Sequence, residues 1–370
     1  MKYYVIAGER SGDLHAGNLI KAISSMDEKA MVRGFGGDYM TEVGAEIVVH
    51  YEKLAFMGFL EVVKNYSTIK TYLEQCKIDI LSFNPDVLIL VDYAGFNLRI
   101  AKFAKEQGIR VFYYISPKVW AWNQKRAYKI KKRVDEMFTI LPFEPEFYKK
   151  FEWDVKYVGN PVLDAVKSYK PDPDFKSSLN IADDKSVIAL LPGSRKQELA
   201  SVLPLMTEIC ASRKNDHFVV AAVKHLTPLY GAISKLENVS LVFDKTYDLL
   251  SCANCAVVTS GTATLETALW NVPQVVVYKT SWITYKIARS LIKVDYISLV
   301  NLIADKLVVK ELIQEDFNLT NLSGEIELLL NEGNYRDEML AEYAKIRQVL
   351  GEGTASKKAA ELMLAALPND

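Results

Sequence analysis

The chain has 370 residues, 50% of them hydrophobic and 25% charged, so it has the composition of a globular protein and is long enough for two domains. Its net charge of -1 argues against extensive binding to nucleic acid, which requires an excess of basic side chains. No stretch approaches the roughly 18 apolar residues of a membrane span. The 4 scattered cysteines indicate reduced thiols in a cytoplasmic protein.

The first predicted strand is Lys2–Ala7, and the turn Gly8–Asp13 leads from it into a helix. Two glycines in such a turn are typical of dinucleotide sites, but the G-x-G-x-x-G spacing is absent, which disfavours a nicotinamide cofactor. The polar residues Glu9, Ser11 and Asp13 have two interpretations. They form a solvated helix cap, or they face a substrate that carries many hydroxyl groups.

A markedly apolar run, Leu54–Val63, surrounds Gly58. Such a run usually belongs to a hydrophobic core. Large side chains beside a glycine also fit an apolar groove at the protein surface, so both interpretations stay open.

The next strong signal is Val87–Val91, a predicted buried strand that ends at Asp92. Open parallel sheets bind their ligands at the carboxyl ends of the strands, and Asp92 lies at such an end. The alternative role, capping the following helix, fits Asn97 better. We therefore favour a functional role for Asp92.

The loop Ser116–Trp122 contains two tryptophans and a proline, and the helix predicted at Gln124–Arg133 carries six basic residues. A basic helix is usually just a solvated face. Beside exposed aromatic side chains it also suits contact with anionic lipid or phosphate, and we keep this as a second interpretation.

A proline- and aspartate-rich segment, Lys170–Asp174, is predicted to be a linker, after which the alternation of strands and helices restarts. Val187–Leu191 is a predicted strand that runs into a turn and a helix. The turn contains Gly193, Ser194 and Arg195, which fit an anion because a guanidinium binds a diphosphate through two parallel N–H groups. The Gly-Lys-Ser/Thr of a Walker loop is missing.

The stretch Val257–Lys279 has the pattern strand, loop, helix, strand, which builds parallel sheets. Its loop has small residues, Ser260, Gly261 and Thr262, so the backbone can approach a ligand, and the helix start beyond it favours a phosphate. Glu266 would repel a phosphate but is suited to the two hydroxyls of a ribose. The loop and the carboxylate together predict a nucleotide. The alternative is that these residues only cap the helix and complement its dipole.

Together the two halves predict an α/β protein with two doubly wound, Rossmann-like domains that face a cleft. We place the domains at residues 1–165 and 166–345. Residues 346–370 are predicted to form a helix that packs back on the first domain or on a partner chain. This architecture suits an enzyme that holds a nucleotide on one domain and a second substrate on the other, although several classes of function share it.

An ordered set of motifs between Ala7 and Gln314 resembles the lipid-A-disaccharide synthases, a family of glycosyltransferases. Each motif is weak alone, and their order along the chain makes the set specific. The segments are AGERSGD, MGFLEVV, VDYAGFN, YISPKVWAWNQKR, LPFEPEFY, VGNPVLD, LLPGSRKQEL, SGTATLE and NLIADKLVVKELIQ.

The resemblance implies an enzyme with the two-Rossmann (GT-B) fold that joins UDP-2,3-diacylglucosamine to 2,3-diacylglucosamine 1-phosphate. The products would be a β-1,6-linked tetraacyl disaccharide 1-phosphate and UDP, on the pathway to lipid A. No cofactor and no metal are implied, because fixed positive groups would stabilise the leaving UDP. The lipid substrates imply peripheral attachment to the cytoplasmic face of the inner membrane, helped by the basic helix, and the family resemblance allows a homodimer.

The resemblance also implies roles for the candidate residues. Asp92 matches the general base that takes the proton of the acceptor 6-hydroxyl as it attacks with inversion. Contacts with UDP are implied for Gly193, Ser194, Arg195, Ser260, Gly261, Thr262, Glu266 and Asn301. The sugar side of the cleft is implied for Glu9, Ser11, Gly12 and Asp13. Contacts with acyl chains or the membrane are implied for Phe56, Met57, Phe59, Leu60 and Val63.

The sequence departs from the family pattern at Gly95, Asn160, Lys279 and Val300, which leaves Asp92 without a second carboxylate nearby. Three alternatives remain: a UDP-sugar epimerase or transferase with a soluble acceptor, a noncatalytic nucleotide- or solute-binding protein, and, least favoured, a dehydrogenase. The apolar and tryptophan-bearing segments argue against a soluble acceptor, which gives no reason to expose them.

Overall fold

The computed structural model describes residues 1–54, 66–182 and 184–367. The chain divides into two compact units: Met1–Pro161 together with the segment that begins at Glu352, and Val162–Gly351. The sequence predicts these boundaries at 165/166 and 345/346, a few residues away from those observed.

The proline- and aspartate-rich segment does not lie at the boundary between the units. Asp248 of the second unit accepts hydrogen bonds from the Tyr169 hydroxyl (2.7 Å) and from the Asp172 amide (2.8 Å). The predicted linker is therefore anchored on the second unit, and the prediction that Lys170–Asp174 joins the two domains was wrong.

Each unit is built on a parallel sheet. The strands of the first unit are β1 (Lys2–Ala7), β2 (Met31–Gly36), β3 (Glu46–His50), β4 (Val87–Val91), β5 (Arg110–Tyr114), β6 (Glu136–Thr139) and β7 (Lys156–Tyr157). The strands of the second are β8 (Val187–Leu191), β9 (His217–Ala222), β10 (Val239–Phe243), β11 (Cys255–Thr259), β12 (Gln274–Tyr278) and β13 (Glu311–Ile313).

Helices connect these strands and cover the sheets. In chain order the described α-helices are α1 (Arg10–Ser24), α2 (Asp38–Glu42), α3 (Tyr66–Phe83), α4 (Ala94–Glu106), α5 (Ala127–Lys131), α6 (Glu144–Lys149), α7 (Pro161–Ser168), α8 (Phe175–Ser178), α9 (Lys196–Ser212), α10 (Thr246–Cys252), α11 (Thr262–Leu269), α12 (Trp282–Leu291), α13 (Leu299–Ala304), α14 (Leu319–Leu330), α15 (Asn334–Leu350) and α16 (Ala355–Ala365).

In each sheet the order of the strands reverses at one point. Within the described residues the first sheet has the order β3-β2-β1-β4-β5-β6-β7 and the second β10-β9-β8-β11-β12-β13, with every pair parallel. The order therefore reverses between β1 and β4 in one unit and between β8 and β11 in the other. Parallel sheets of this kind bind ligands at the carboxyl ends of the strands beside such a reversal. The predicted class, two doubly wound α/β units, is confirmed.

The central strands form because their residues are apolar on both faces. Every residue of β4, VLILV, and of β8, VIALL, is buried, as expected for a parallel strand with helices on both sides of the sheet. In the first unit α16 packs against α1, where Ala359, Ala360 and Met363 join Ile20 in one hydrophobic cluster. The end of the chain thus completes the core of the first unit.

None of the helices that the structure describes is long and apolar enough to cross a membrane.

Candidate active site

In the first unit the turns after β1 and β4 are neighbours. Ala7 pairs with Val91 in the sheet, so Gly8 and Asp92 follow from adjacent strand ends. The ring of Tyr93 lies against Gly8: a Cβ placed there would be 2.1 Å from the ring. Any larger residue at position 8 would displace the ring beside Asp92.

Asp92 is partly exposed at the carboxyl end of β4, as predicted. Its backbone and that of Tyr93 have positive φ angles, 45° and 44°. Residues with a Cβ rarely adopt this left-handed conformation, and where they do the surrounding structure must hold them in place. Asp92 therefore occupies a backbone conformation of the kind that is concentrated at functional sites.

Asp13 has a different role from the predicted sugar contact. Its carboxylate is fully buried and accepts hydrogen bonds from the amides of Gly37 (2.7 Å), Tyr39 (3.0 Å) and Met40 (3.4 Å) at the start of α2. It supplies the acceptor that the first amides of a helix lack. Among the other predicted sugar-side residues, Gly12 is buried, Glu9 is partly exposed and Ser11 is exposed.

In the second unit the same arrangement brings two predicted turns together. Leu191 at the end of β8 pairs with Val258 of β11, so the turn containing Gly193 lies beside the turn containing Ser260. Two segments far apart in the sequence therefore meet at one edge of the sheet, beside the reversal in strand order.

In the turn that contains Gly193, two backbone amides already donate hydrogen bonds to a carboxylate of the chain. Glu198 accepts hydrogen bonds from the amides of Ser194 (3.1 Å) and Arg195 (3.2 Å). Gly193, with a φ of 101°, makes this possible, because a Cβ there would lie 2.5 Å from the Glu198 carboxylate. The guanidinium of Arg195 is exposed, 3.7 Å from Glu198. Sequence reasoning missed this role of Glu198, although a glutamate three residues after a helix cap is a known capping signal.

The second turn leads directly into α11. Ser260 donates its hydroxyl to the Ile297 carbonyl (2.8 Å), which ties the turn to the segment before α13. Gly261 and Thr262 are exposed at the helix start. The first amides of a helix have no partner within the helix, so this end of α11 is suited to a negatively charged ligand.

Glu266 lies just after the first turn of α11 and is partly buried. Its carboxylate accepts a hydrogen bond from the Tyr247 hydroxyl (2.7 Å). Burial raises the pKa of Glu266 above its usual value, and the bond from Tyr247 opposes that rise. Tyr247 fixes one carboxylate oxygen, and nothing in the sequence pattern indicated this partner.

Asn301 is fully buried and serves the fold, which corrects its predicted contact with the nucleotide. Its amide oxygen accepts from the amides of Val308 (2.8 Å) and Val309 (2.9 Å), and its NH₂ donates to the Val309 carbonyl (2.8 Å) and to Glu311 (2.9 Å). Glu311 also accepts from the amides of Ile297 and Ser298. Asn301 thus holds the segment to which Ser260 is bonded.

Of three aromatic residues near the basic segment, one is buried and two are exposed. Trp120 is buried and donates its indole N–H to Glu144 (3.2 Å), so the expectation that both tryptophans are exposed was wrong. Trp122 is 44% exposed, and the guanidinium of Arg126 lies 5.9 Å from its ring centroid. Tyr128, in α5, is 54% exposed, and its ring packs edge-on against Phe151.

The predicted acyl-chain residues Phe56, Met57, Phe59, Leu60 and Val63 lie outside the described residues. Within the part of the chain that the structure describes, no group of three or more His, Cys, Asp or Glu side chains is arranged to hold a metal ion.

The sequence matches a family of known proteins over nearly its whole length. The family model described as lipid-A-disaccharide synthetase matches residues 3–366. The lipid-A-disaccharide synthase of Trichlorobacter lovleyi is 36% identical over 371 residues, covering 98% of this chain and 96% of that protein. The synthase of Coxiella burnetii is 34% identical over 366 residues, covering 97% and 96%.

Solved structures show the same fold at low sequence identity. The UDP-GlcNAc 2-epimerase of Neisseria meningitidis bound to UDP-GlcNAc has a TM-score of 0.73 and 15% identity, covering 99% of this chain and 100% of that one. The glycotransferase of kitacinnamycin has a TM-score of 0.69 and 14% identity, covering 99% and 98%. Both support a GT-B fold with two Rossmann-like domains. The match of the family model over nearly the whole chain shows that this protein belongs to the lipid-A-disaccharide synthetase family, glycosyltransferases of lipid A biosynthesis.

Proposed function

We propose that the protein transfers the sugar of UDP-2,3-diacylglucosamine to 2,3-diacylglucosamine 1-phosphate with inversion. The acceptor's 6-hydroxyl oxygen bonds to the anomeric carbon of the donor while the bond from that carbon to the UDP oxygen breaks. The products are the β-1,6-linked tetraacyl disaccharide 1-phosphate and UDP. Family membership supports the reaction class, and the position of Asp92 at the reversal of the first sheet is the observation that carries the mechanism.

Asp92 acts as the general base. Its carboxylate lies at the carboxyl end of β4, is accessible to solvent and is the side chain that a strained turn presents there. As the acceptor oxygen attacks, the carboxylate takes its proton, a contribution typically worth roughly 10²- to 10⁴-fold in rate. We assign contacts with hydroxyl groups of the sugar to Glu9 and Ser11, which follow the neighbouring strand end and are accessible to solvent.

The second unit holds the donor nucleotide. We assign the diphosphate to the Arg195 guanidinium and to the start of α11 at Ser260, Gly261 and Thr262, because Glu198 already uses the amides of Ser194 and Arg195. The guanidinium and the helix start both stabilise the negative charge that develops on the leaving UDP. Glu266, oriented by Tyr247, accepts hydrogen bonds from the ribose hydroxyls.

The test is transfer between the two proposed substrates by the purified protein. We expect one UDP released per disaccharide formed, with a β-linkage in the product and no loss of rate in EDTA, since the positive groups are part of the chain. Release of UDP without acceptor, or a sugar epimer as the product, would instead support hydrolysis or the epimerase chemistry of the structural relatives.

We also propose that the protein binds the cytoplasmic face of the inner membrane through the exposed Trp122 and Tyr128 and the adjacent basic residues. Aromatic side chains with apolar bodies, next to cations, suit an anionic lipid surface. In flotation with phosphatidylglycerol vesicles, we expect Trp122→Ala/Tyr128→Ala to lower the bound fraction. Trp282→Ala is the control, because Trp282 is 58% exposed and also has a cation, Lys286, over its ring at 3.9 Å. Equal losses in both variants would contradict the assignment to one patch.

A further inference from the structure

The backbone around Asp92 is held by two buried side chains that the reaction described above does not use. Asp92 and Tyr93 adopt the left-handed conformation one after the other, at φ 45° and 44°. For residues with a Cβ this conformation is disfavoured by contact between the Cβ and the carbonyl oxygen. A turn of two such residues persists only where other groups fix it.

Asn97 is the first of these groups. It lies one turn into α4 and is fully buried. Its side-chain NH₂ donates to the carbonyl of Asp92 (2.8 Å) and to that of Val91 (3.2 Å). It therefore holds the carbonyl groups immediately before and after the Cα of Asp92.

Tyr113 is the second group. It lies on β5, the strand that pairs with β4, and it is fully buried. Its hydroxyl donates to the same Asp92 carbonyl that Asn97 binds. The amide of Asp92 in turn donates to the Tyr114 carbonyl (3.1 Å), so both peptide groups of Asp92 are fixed to surrounding structure.

We propose that Asn97 and Tyr113 are positioning residues for the transfer reaction. Both side chains are inaccessible to solvent, so neither touches a substrate. By fixing the Asp92 carbonyl they maintain the left-handed turn, and the turn sets the direction in which the Asp92 carboxylate leaves the backbone. This inference rests on the proposed role of Asp92 as the base.

The effect should fall on turnover. A general base works only within hydrogen-bond distance of the proton it takes, and a displacement of about 1 Å costs as much as 100-fold in rate. Substrate binding involves other residues. Loss of either donor should therefore lower kcat and leave KM and the affinity for UDP unchanged.

Tyr113→Phe is the decisive variant, because it removes one oxygen atom and keeps the packing of the ring. We expect kcat to fall by about tenfold. Tyr4→Phe is the matched control: Tyr4 is also fully buried in the first sheet and donates its hydroxyl, at 2.8 Å, to Asp79. We expect this control to keep its kcat, even if its thermal midpoint falls as far as that of Tyr113→Phe.

Asn97→Leu tests the second group with a side chain of similar size that has no hydrogen-bond donor. We expect a loss of kcat of at least tenfold. If this variant fails to fold, Tyr113→Phe decides the question alone. A folded Tyr113→Phe with wild-type kcat and a lowered thermal midpoint would show a purely structural role and overturn the inference.

A double-mutant cycle separates this inference from the proposed function. Single-turnover transfer is measured with excess enzyme for Asp92→Ala, with and without Tyr113→Phe. Because a positioning residue acts through the residue it positions, we expect no further loss in the double variant. Additive losses would overturn the inference while leaving the base in place. Full transfer by Asp92→Ala would refute the proposed base, and the positioning role with it.

Discussion

The two units end their central strands in opposite ways. β4 is followed by Asp92 and Tyr93, whose backbones are left-handed although both residues carry a Cβ. The turn after β8 contains Gly193, which also has a positive φ, 101°. In the first unit the strained turn presents a carboxylate. In the second, the missing side chain lets Glu198 approach the backbone, since a Cβ at Gly193 would be 2.5 Å from it.

This difference shows what each strand end is suited to do. A general base needs a side chain in a fixed direction, so the turn after β4 contains residues with a Cβ, although these residues are strained in the left-handed conformation. The glycine of the second turn instead lets a carboxylate of the chain reach the backbone, where Glu198 accepts from the amides of Ser194 and Arg195. We infer a division of labour in which the first unit supplies the chemistry and the second holds the nucleotide.

The largest predicted effect concerns the base. Asp92→Asn keeps the shape of the side chain but cannot take a proton at neutral pH. We expect transfer to fall by about 10³-fold. The affinity for UDP, measured by calorimetry, should stay within about twofold, because the proposed nucleotide contacts lie in the second unit. An equal loss of transfer and UDP binding would contradict the division of labour.

The next effect concerns the diphosphate. Arg195→Ala should weaken UDP binding by roughly 10- to 100-fold, the value of a hydrogen bond to a charged group. Lys196→Ala is the control, because Lys196 is the adjacent exposed cation. Equal weakening by both variants would mean that only the local charge matters, and that no specific contact is made by the guanidinium.

A smaller effect is expected from pH. Burial raises the pKa of Glu266, so the carboxylate becomes protonated at a higher pH than an exposed glutamate would. The protonated form is a weaker acceptor for ribose hydroxyls, so affinity should fall as the pH is lowered, by about fivefold in total. UDP-GlcNAc is the suitable probe, since its diphosphate does not titrate in this range. Glu266→Gln should abolish the dependence; a variant that retains it would show that another group is responsible.

The smallest effect measures the strain itself. Glycine adopts the left-handed conformation without a steric penalty, whereas the Cβ of alanine makes the same conformation unfavourable. We expect Asp92→Gly to be more stable than Asp92→Ala by about 1 kcal/mol, which corresponds to about 2 to 4 °C in the thermal midpoint of a unit this size. Both variants should show the same loss of transfer, about 10³-fold, because both lack the base. Equal midpoints would mean that the turn is not strained.

The fold followed from sequence because its signals are local. Buried runs such as VLILV and VIALL predict parallel strands directly, and the turns after them mark the ligand edge of each sheet. The positions of Asp92 and Ser260 just after buried strands could be anticipated from this pattern, whereas the order of the strands in each sheet was not predicted.

The roles of individual polar side chains could not be predicted in the same way. Asp13 and Asn301 lie near the expected sites, but their partners are backbone groups of other elements, such as Gly37 and Val308. A sequence shows that a polar residue is near a strand end, and it does not show whether the side chain points to solvent or to an unsatisfied amide. For the same reason, the hydrogen bond from Tyr247 to Glu266 could not be predicted from the sequence.

A crystal structure of the protein with UDP tests the division of labour most directly. We predict nucleotide density on the second unit, with the diphosphate at Arg195 and the start of α11 and the ribose within hydrogen-bond distance of Glu266. Nucleotide bound instead at the turn of Gly8 and Asp92 in the first unit would contradict the account.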